Sequence, residues 1–171
     1  MNYPYSVDTI SPSSITLVPI LRSGLSLVDA LQSVLPYPVP VHHLGLYREK
    51  TTLQPVEYYN NLPYHRSQQP VAGSLPETNV DAVELAIIVD PVIATGATAC
   101  AAIETLREWG VKRIIMVAVM GCLPGLERAA SEWPEGVEIY CAAVDGELNE
   151  KGMILPGLGD VGDRLYLTIG K

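Results

Sequence analysis

An alternation in the second half of the chain limits its fold more than any other feature. Three apolar runs, 85–89 (Leu85-Ala86-Ile87-Ile88-Val89), 113–120 and 137–144, are separated by stretches with helical signals. Apolar runs of this kind suit parallel strands covered on both faces. Ala97 to Trp109 reads as a helix ended by Gly110, and Gly125 to Trp133 as another stopped near Pro134. Strand–helix–strand–helix–strand implies a parallel sheet with right-handed crossovers. The expected fold class is α/β, a central mostly parallel sheet flanked by helices.

The first half fits the same scheme. Residues 15–21 read as a buried strand, Arg22-Ser23-Gly24 as a turn, and Leu25 to Leu35 as a helix with apolar residues on one face. Pro36, Pro38 and Pro40 break the chain before a further strand over Val41 to Tyr47. Three segments stand apart. Residues 1–14 are polar and Pro-rich, a loose lead-in. Residues 48–82 are polar and Tyr-rich, with 64–81 close to a plain loop, and a loop that long is functional or mobile. Residues 145–171 form a Gly-rich tail whose run 156–164 is expected to be irregular backbone. At 171 residues without internal repeats, the chain is expected to form one domain, 1–171.

Nineteen acidic residues against eleven basic ones give a net charge of −8, which repels nucleic-acid phosphates. An anionic small substrate must then be held by a few placed groups. Cys100, Cys122 and Cys141 are widely spaced in apolar runs and read as free, buried thiols of a reducing compartment. Three histidines and no Cys/His spacing give no zinc site. Apolar runs fall far short of a membrane span, and the N-terminus lacks the basic-then-apolar pattern of a signal peptide. The expected location is the cytoplasm, with no nucleic-acid or membrane partner.

The chemistry concentrates in Asp90 to Thr98, where an apolar strand ends and a helix begins. Ligands of open α/β sheets bind outside the carboxyl ends of strands. At a helix N-terminus, free N–H groups and the helix dipole suit a phosphate. Gly96 lets the backbone approach closely, the Thr95 and Thr98 hydroxyls add donors, and Asp90 can accept hydrogen bonds from ribose hydroxyls. On spacing alone the segment fits either a ribose-phosphate cradle or a plain strand–turn–helix with threonine as N-cap.

Val89-Asp90-Pro91-Val92-Ile93-Ala94-Thr95-Gly96-Ala97-Thr98 resembles the uracil phosphoribosyltransferase version of the motif that binds 5-phosphoribosyl 1-pyrophosphate (PRPP). Val18-Pro19-Ile20-Leu21-Arg22-Ser23-Gly24-Leu25 is similar to that family's first substrate loop. Gly45-Leu46-Tyr47-Arg48, with Thr52-Leu53-Gln54-Pro55-Val56 and Tyr58-Tyr59, resembles its flexible arm. Leu148-Asn149-Glu150-Lys151-Gly152 and Pro156-Gly157-Leu158-Gly159-Asp160-Val161-Gly162-Asp163-Arg164 resemble its base-binding tail.

The resemblance implies transfer of ribose 5-phosphate from PRPP to uracil, giving UMP and pyrophosphate in pyrimidine salvage. It implies catalytic roles for Arg22, Arg48 and Asp90. PRPP would touch these together with Pro91, Val92, Ile93, Ala94, Thr95, Gly96, Ala97, Thr98 and Asp160. Uracil would be held by Ile154, Gly159, Asp160 and Val161, largely through main-chain atoms. Mg²⁺ would arrive on PRPP, with no metal ligand supplied directly by the protein. A homodimer or higher homo-oligomer is implied, with Tyr58 and Tyr59 in its contact. Asp163 and Arg164 are expected to form a local ion pair, and Trp109 and Trp133 to pack near helix ends. The sequence departs from the family at Ala97, at Leu123-Pro124-Gly125, over 64–82, and by lacking the helical region that normally precedes the first loop. These departures frame a second reading, a catalytically weak nucleotide-binding regulatory paralogue or subunit of the same fold.

Overall fold

The computed structural model describes residues 10–49, 52, 54–63 and 83–168. In chain order these form β1 (Ile15–Leu21), α1 (Leu25–Val34), β2 (Leu44–Arg48), β3 (Pro55–Asn60), β4 (Leu85–Val89), β5 (Val92–Ile93), α2 (Ala97–Trp109), β6 (Arg113–Cys122), α3 (Leu123–Glu132), β7 (Val137–Asp145), β8 (Glu147–Leu148), β9 (Ile154–Leu155) and α4 (Val161–Tyr166). The main sheet runs β3-β2-β1-β4-β6-β7. The short β5 follows β4 along the same edge of β6, pairing Val92 with Met120 and Ile93 with Gly121. Every pairing in this sheet is parallel except β2–β3. The expected α/β class and mostly parallel sheet are therefore observed.

The two faces of the sheet sort alternate residues of each strand, as pleating requires. Val18, Ile20, Ala86, Ile88, Ile114 and Met116 pack under α2 and α3, against Ile103, Leu106 and Ala129. Ile15, Leu17, Leu85, Ile87 and Val89 pack on the other face, with Leu27, Val28 and Leu31 of α1. Burial on both sides explains why β4 is apolar throughout. α1 covers β1 and β4 but leaves the β6–β7 part of that face open, where Val119 (44%), Tyr140 (57%) and Val144 (53%) are exposed.

Several expectations shift. The strand expected from Val41 starts at Leu44, because residue 41 makes only an isolated bridge to Leu17. α3 begins at Leu123, two residues early, with Pro124 in its first turn where a missing N–H costs nothing. The end of the lead-in is not loose: the Ser14 carbonyl accepts from Glu84 N–H and Leu85 N–H, and Ile10 packs on the second core. The polar arm contains β3, paired antiparallel to β2 with Arg48 opposite Pro55. The run 156–164 is irregular only to Asp160, since α4 starts at Val161. Cys100 and Cys122 are buried as expected, whereas Cys141 is only half-buried. The plain-loop reading of 64–81 lies outside the described residues. No described helix is long and apolar enough to cross a membrane.

Candidate active site

Four loops meet at the carboxyl ends of β1, β2, β4 and β6. They enclose a cavity of about 220 Å³ that opens into a wider cleft of about 820 Å³. This is the position at which an open parallel sheet offers strand and helix ends to a ligand.

The floor is the turn from β4 into α2. Asp90 directly follows β4, at 8% exposure, and accepts a 3.1 Å hydrogen bond from Ser23 Oγ. Burial pushes its pKa up to about 6, against the stabilising hydrogen bonds from Ser23 and from the backbone at Val92. Val92, Ile93, Ala94, Thr95, Gly96 and Thr98 line the cavity with it. Gly96 caps α2 in the left-handed region, at φ 76°, with no side chain bonded to the first turn from the cap position. The threonine cap is therefore not found; Thr95 Oγ1 only accepts a long 3.5 Å bond from Ala97 N–H. With no side-chain cap, the start of α2 keeps the uncommitted amides that suit an anion, and Thr98 and Ala99 of its first turn line the cavity. Pro91 and Ala97, both expected at PRPP, do not line it. Pro91 is buried and its carbonyl accepts from Val119 N–H and Met120 N–H, while Ala97 is buried in the first turn of α2.

The cradle is supported from below. The first turn of α3 brings Gly125 against it so closely that a Cβ there would lie 2.0 Å from the Ala94 carbonyl oxygen.

The opposite wall is the tail. Ile154, Gly159, Asp160 and Val161, the residues expected at uracil, all line the cavity. Asp160 also caps α4, its Oδ1 accepting from Asp163 N–H at 2.9 Å. Arg48 closes one end. Its Nη1 donates to the Gly152 carbonyl at 2.9 Å, and its Nη2 approaches Met153 Sδ at 3.9 Å. This ties the end of β2 to the turn before β9.

Arg22 lines the wider cleft and not the inner cavity. The Leu21–Arg22 peptide is cis. The Arg22 guanidinium donates to Asp163 Oδ1 at 2.9 Å and to Thr168 Oγ1 at 3.0 Å. The expected Asp163–Arg164 pair is thus replaced: Asp163 pairs with Arg22, and Arg164 Nη1 donates to the Leu158 carbonyl at 2.7 Å. Arg22, Arg48 and Lys151 bring three cations to the cleft of an acidic chain.

Residue-by-residue reading gave no role at the site to Ser23, Gly125, Asp163 or Thr168. A hydroxyl in the loop after a buried strand is a weak local signal for Ser23. The other three act across long sequence distances that only the fold closes. Burial raises the pKa of the Cys100 and Cys122 thiols, consistent with core residues and not nucleophiles. Trp109 and Trp133 do pack at helix ends. Trp109 Nε1 donates to the Pro63 carbonyl at 2.8 Å, and the Trp133 ring lies against Gly136.

A family model described as uracil phosphoribosyltransferase matches residues 1–168. The chain is 45% identical over 161 residues to a putative uracil phosphoribosyltransferase, urg2, of Schizosaccharomyces pombe, covering 94% of this chain and 70% of that protein. It is 46% identical over 165 residues to a uracil phosphoribosyltransferase of Roseiflexus castenholzii, covering 96% of this chain and 71% of that protein. Among solved structures, the AQ2163 protein of Aquifex aeolicus aligns with a TM-score of 0.75 at 34% identity, over 92% of this chain and 67% of that one. A hypoxanthine phosphoribosyltransferase of Staphylococcus aureus shares the fold at a TM-score of 0.52 and 13% identity, over 80% of this chain and 65% of that one. On the family match over nearly the whole chain and on these identities, this chain belongs to the uracil phosphoribosyltransferase family.

Proposed function

We propose that this protein transfers the ribosyl 5-phosphate of PRPP to uracil, giving UMP and pyrophosphate. One observation carries the reading. The phosphate cradle 92–98 and the tail residues Ile154, Gly159 and Val161 line a single cavity, with Asp90 beneath. A ribose phosphate on the cradle would present its anomeric carbon to a base held by the tail.

The barrier is cleavage of the bond from C1 to pyrophosphate, through a transition state with oxocarbenium character. The protein must align both reactants and neutralise the leaving group. Asp90 accepts hydrogen bonds from the ribose hydroxyls. Arg22 and Arg48 balance the charge of the pyrophosphate in the cleft, and the tail's backbone groups match the edge of uracil. Arg48 already joins the arm to the tail, so it also helps exclude water.

The family implies a divalent metal, and we assign it to Mg²⁺ carried by PRPP. Mg²⁺ keeps most of its waters and binds through one or two carboxylates plus phosphates. The carboxylates at the cavity, Asp90 and Asp160, fit that mode. No group of three potential ligands lies among the described residues. When bound, the metal would neutralise charge on pyrophosphate and ribose oxygens. A single-domain, cytoplasmic homodimer or higher homo-oligomer completes the proposal. The open apolar face at β6–β7 and the exposed Tyr58 and Tyr59 support self-association.

Purified protein with PRPP, Mg²⁺ and radiolabelled uracil should form labelled UMP. Absence of product at high enzyme concentration, with PRPP or UMP still binding, would favour the regulatory reading instead.

A further inference from the structure

Arg22 is gripped at both ends by the last described segment of the chain. Its guanidinium donates to Asp163 Oδ1 and Thr168 Oγ1, at 2.9 and 3.0 Å. The Thr168 hydroxyl donates in turn to the same Asp163 oxygen, at 2.6 Å. The Tyr166 ring centre lies 5.9 Å from the guanidinium carbon, and the Tyr166 hydroxyl donates to the Arg22 carbonyl at 3.2 Å. The segment making these contacts is fixed to the tail, because Asp160 accepts from Asp163 N–H.

An ion pair this exposed, with side chains 48% and 29% accessible, adds little to stability. Its consequence is geometric. A guanidinium carries five N–H donors in a rigid plane. Two groups on α4 and just beyond it engage one donor from each terminal nitrogen, which fixes the direction of the others. An arginine already held in place loses less freedom when it captures an anion.

We infer that Asp163 is a positioning residue for Arg22, setting its fork toward the pyrophosphate cleft and coupling the base-binding tail to the first substrate loop. Such coupling is reciprocal. A base resting on Gly159 and Val161 steadies α4 and hence Arg22, and an anion on Arg22 steadies the tail. The inference rests on the reading of Arg22 as a PRPP-binding cation.

Steady-state kinetics of Arg22→Ala, Asp163→Ala, Asp163→Glu, Thr168→Val and the Arg22→Ala/Asp163→Ala double variant test it. Asp163→Ala should raise the KM for PRPP about tenfold, within the usual range of site coupling. Its kcat at saturating PRPP and its Tm should stay near the parent values. Asp163→Glu should recover part of the loss, and Thr168→Val should show a smaller rise in the same parameter. In the Arg22→Ala background the Asp163 change should add almost nothing, because the two act as one unit. Equal losses with and without Arg22 would overturn the inference, and so would a lower KM for PRPP, which would mark Asp163 as a competitor for the cation. Parallel rises in both substrate KM values with a lowered Tm would reduce Asp163 to a scaffold residue. If Arg22→Ala itself leaves the KM for PRPP unchanged, the reading of Arg22 fails first. If it raises that KM while Asp163→Ala does not, only the coupling fails.

Discussion

Asp90 directly follows β4 with its carboxyl nearly sealed from solvent, and burial pushes its pKa up to about 6 from an ordinary 3.8. The sign of the linked stability follows. The fold favours the protonated acid, so the contribution is complete below pH 3.8 and is lost as pH rises through about 6. At about 1.4 kcal/mol per pH unit, the loss amounts to about 3 kcal/mol. Asp90→Asn should therefore raise Tm relative to the parent at neutral pH, with a gain that grows from pH ~4 to pH ~7. Under the proposed role of Asp90, the same variant should bind PRPP more weakly, because the ribose hydroxyls would lose a charged acceptor. Melting curves at pH 4.5 and 7.5 beside KM values separate the two effects, and a gain that did not grow with pH would contradict the burial argument.

At the scale of elements, the cradle depends on how α3 meets α2. Gly96 and Gly125 touch so closely that a Cβ on Gly96 would lie 2.4 Å from the Gly125 carbonyl oxygen. Gly125→Ala must displace residues 94–96. Overpacking of this kind costs about 1–3 kcal/mol. The expected result is a Tm several degrees lower and a raised KM for PRPP, with uracil binding affected less; a purely local cost would lower Tm and leave both substrate constants alone. The strands β4, β6 and β7 were legible to within two residues because burial on both faces demands continuous apolar sequence. β3 was not, because five of its six residues are exposed and backbone pairing alone defines it. α4 was not, because six residues held by a cap and by Arg22 leave no period to read.

Across the whole molecule, the site was legible where neighbouring residues build it and illegible where the fold closes long distances. Asp90 to Thr98 could be read as one turn. The Arg22–Asp163 pair spans 141 positions, so short-range reasoning gave Asp163 the adjacent Arg164 instead. The same scale governs the proposed self-association. Val119, Tyr140 and Val144 leave the β6–β7 face open on the side where α1 covers only β1 and β4. Placing glutamates at Tyr140 and Val144 should leave the cavity untouched and shift sedimentation toward the monomer at concentrations where the parent associates. Unchanged sedimentation would count against self-association through the β6–β7 face.

Trp109 sits at the end of α2, its indole hydrogen-bonded to the Pro63 carbonyl just beyond β3 and edge-on to the His42 ring at 5.7 Å. The helix that starts at the proposed phosphate cradle thus finishes on a fluorophore touching the segment just after β3. The protein's other tryptophan, Trp133, is the residue that caps the C-terminal end of α3. Light emitted from position 109 therefore reports, without an attached dye, on how Pro63 and His42 pack against the end of α2.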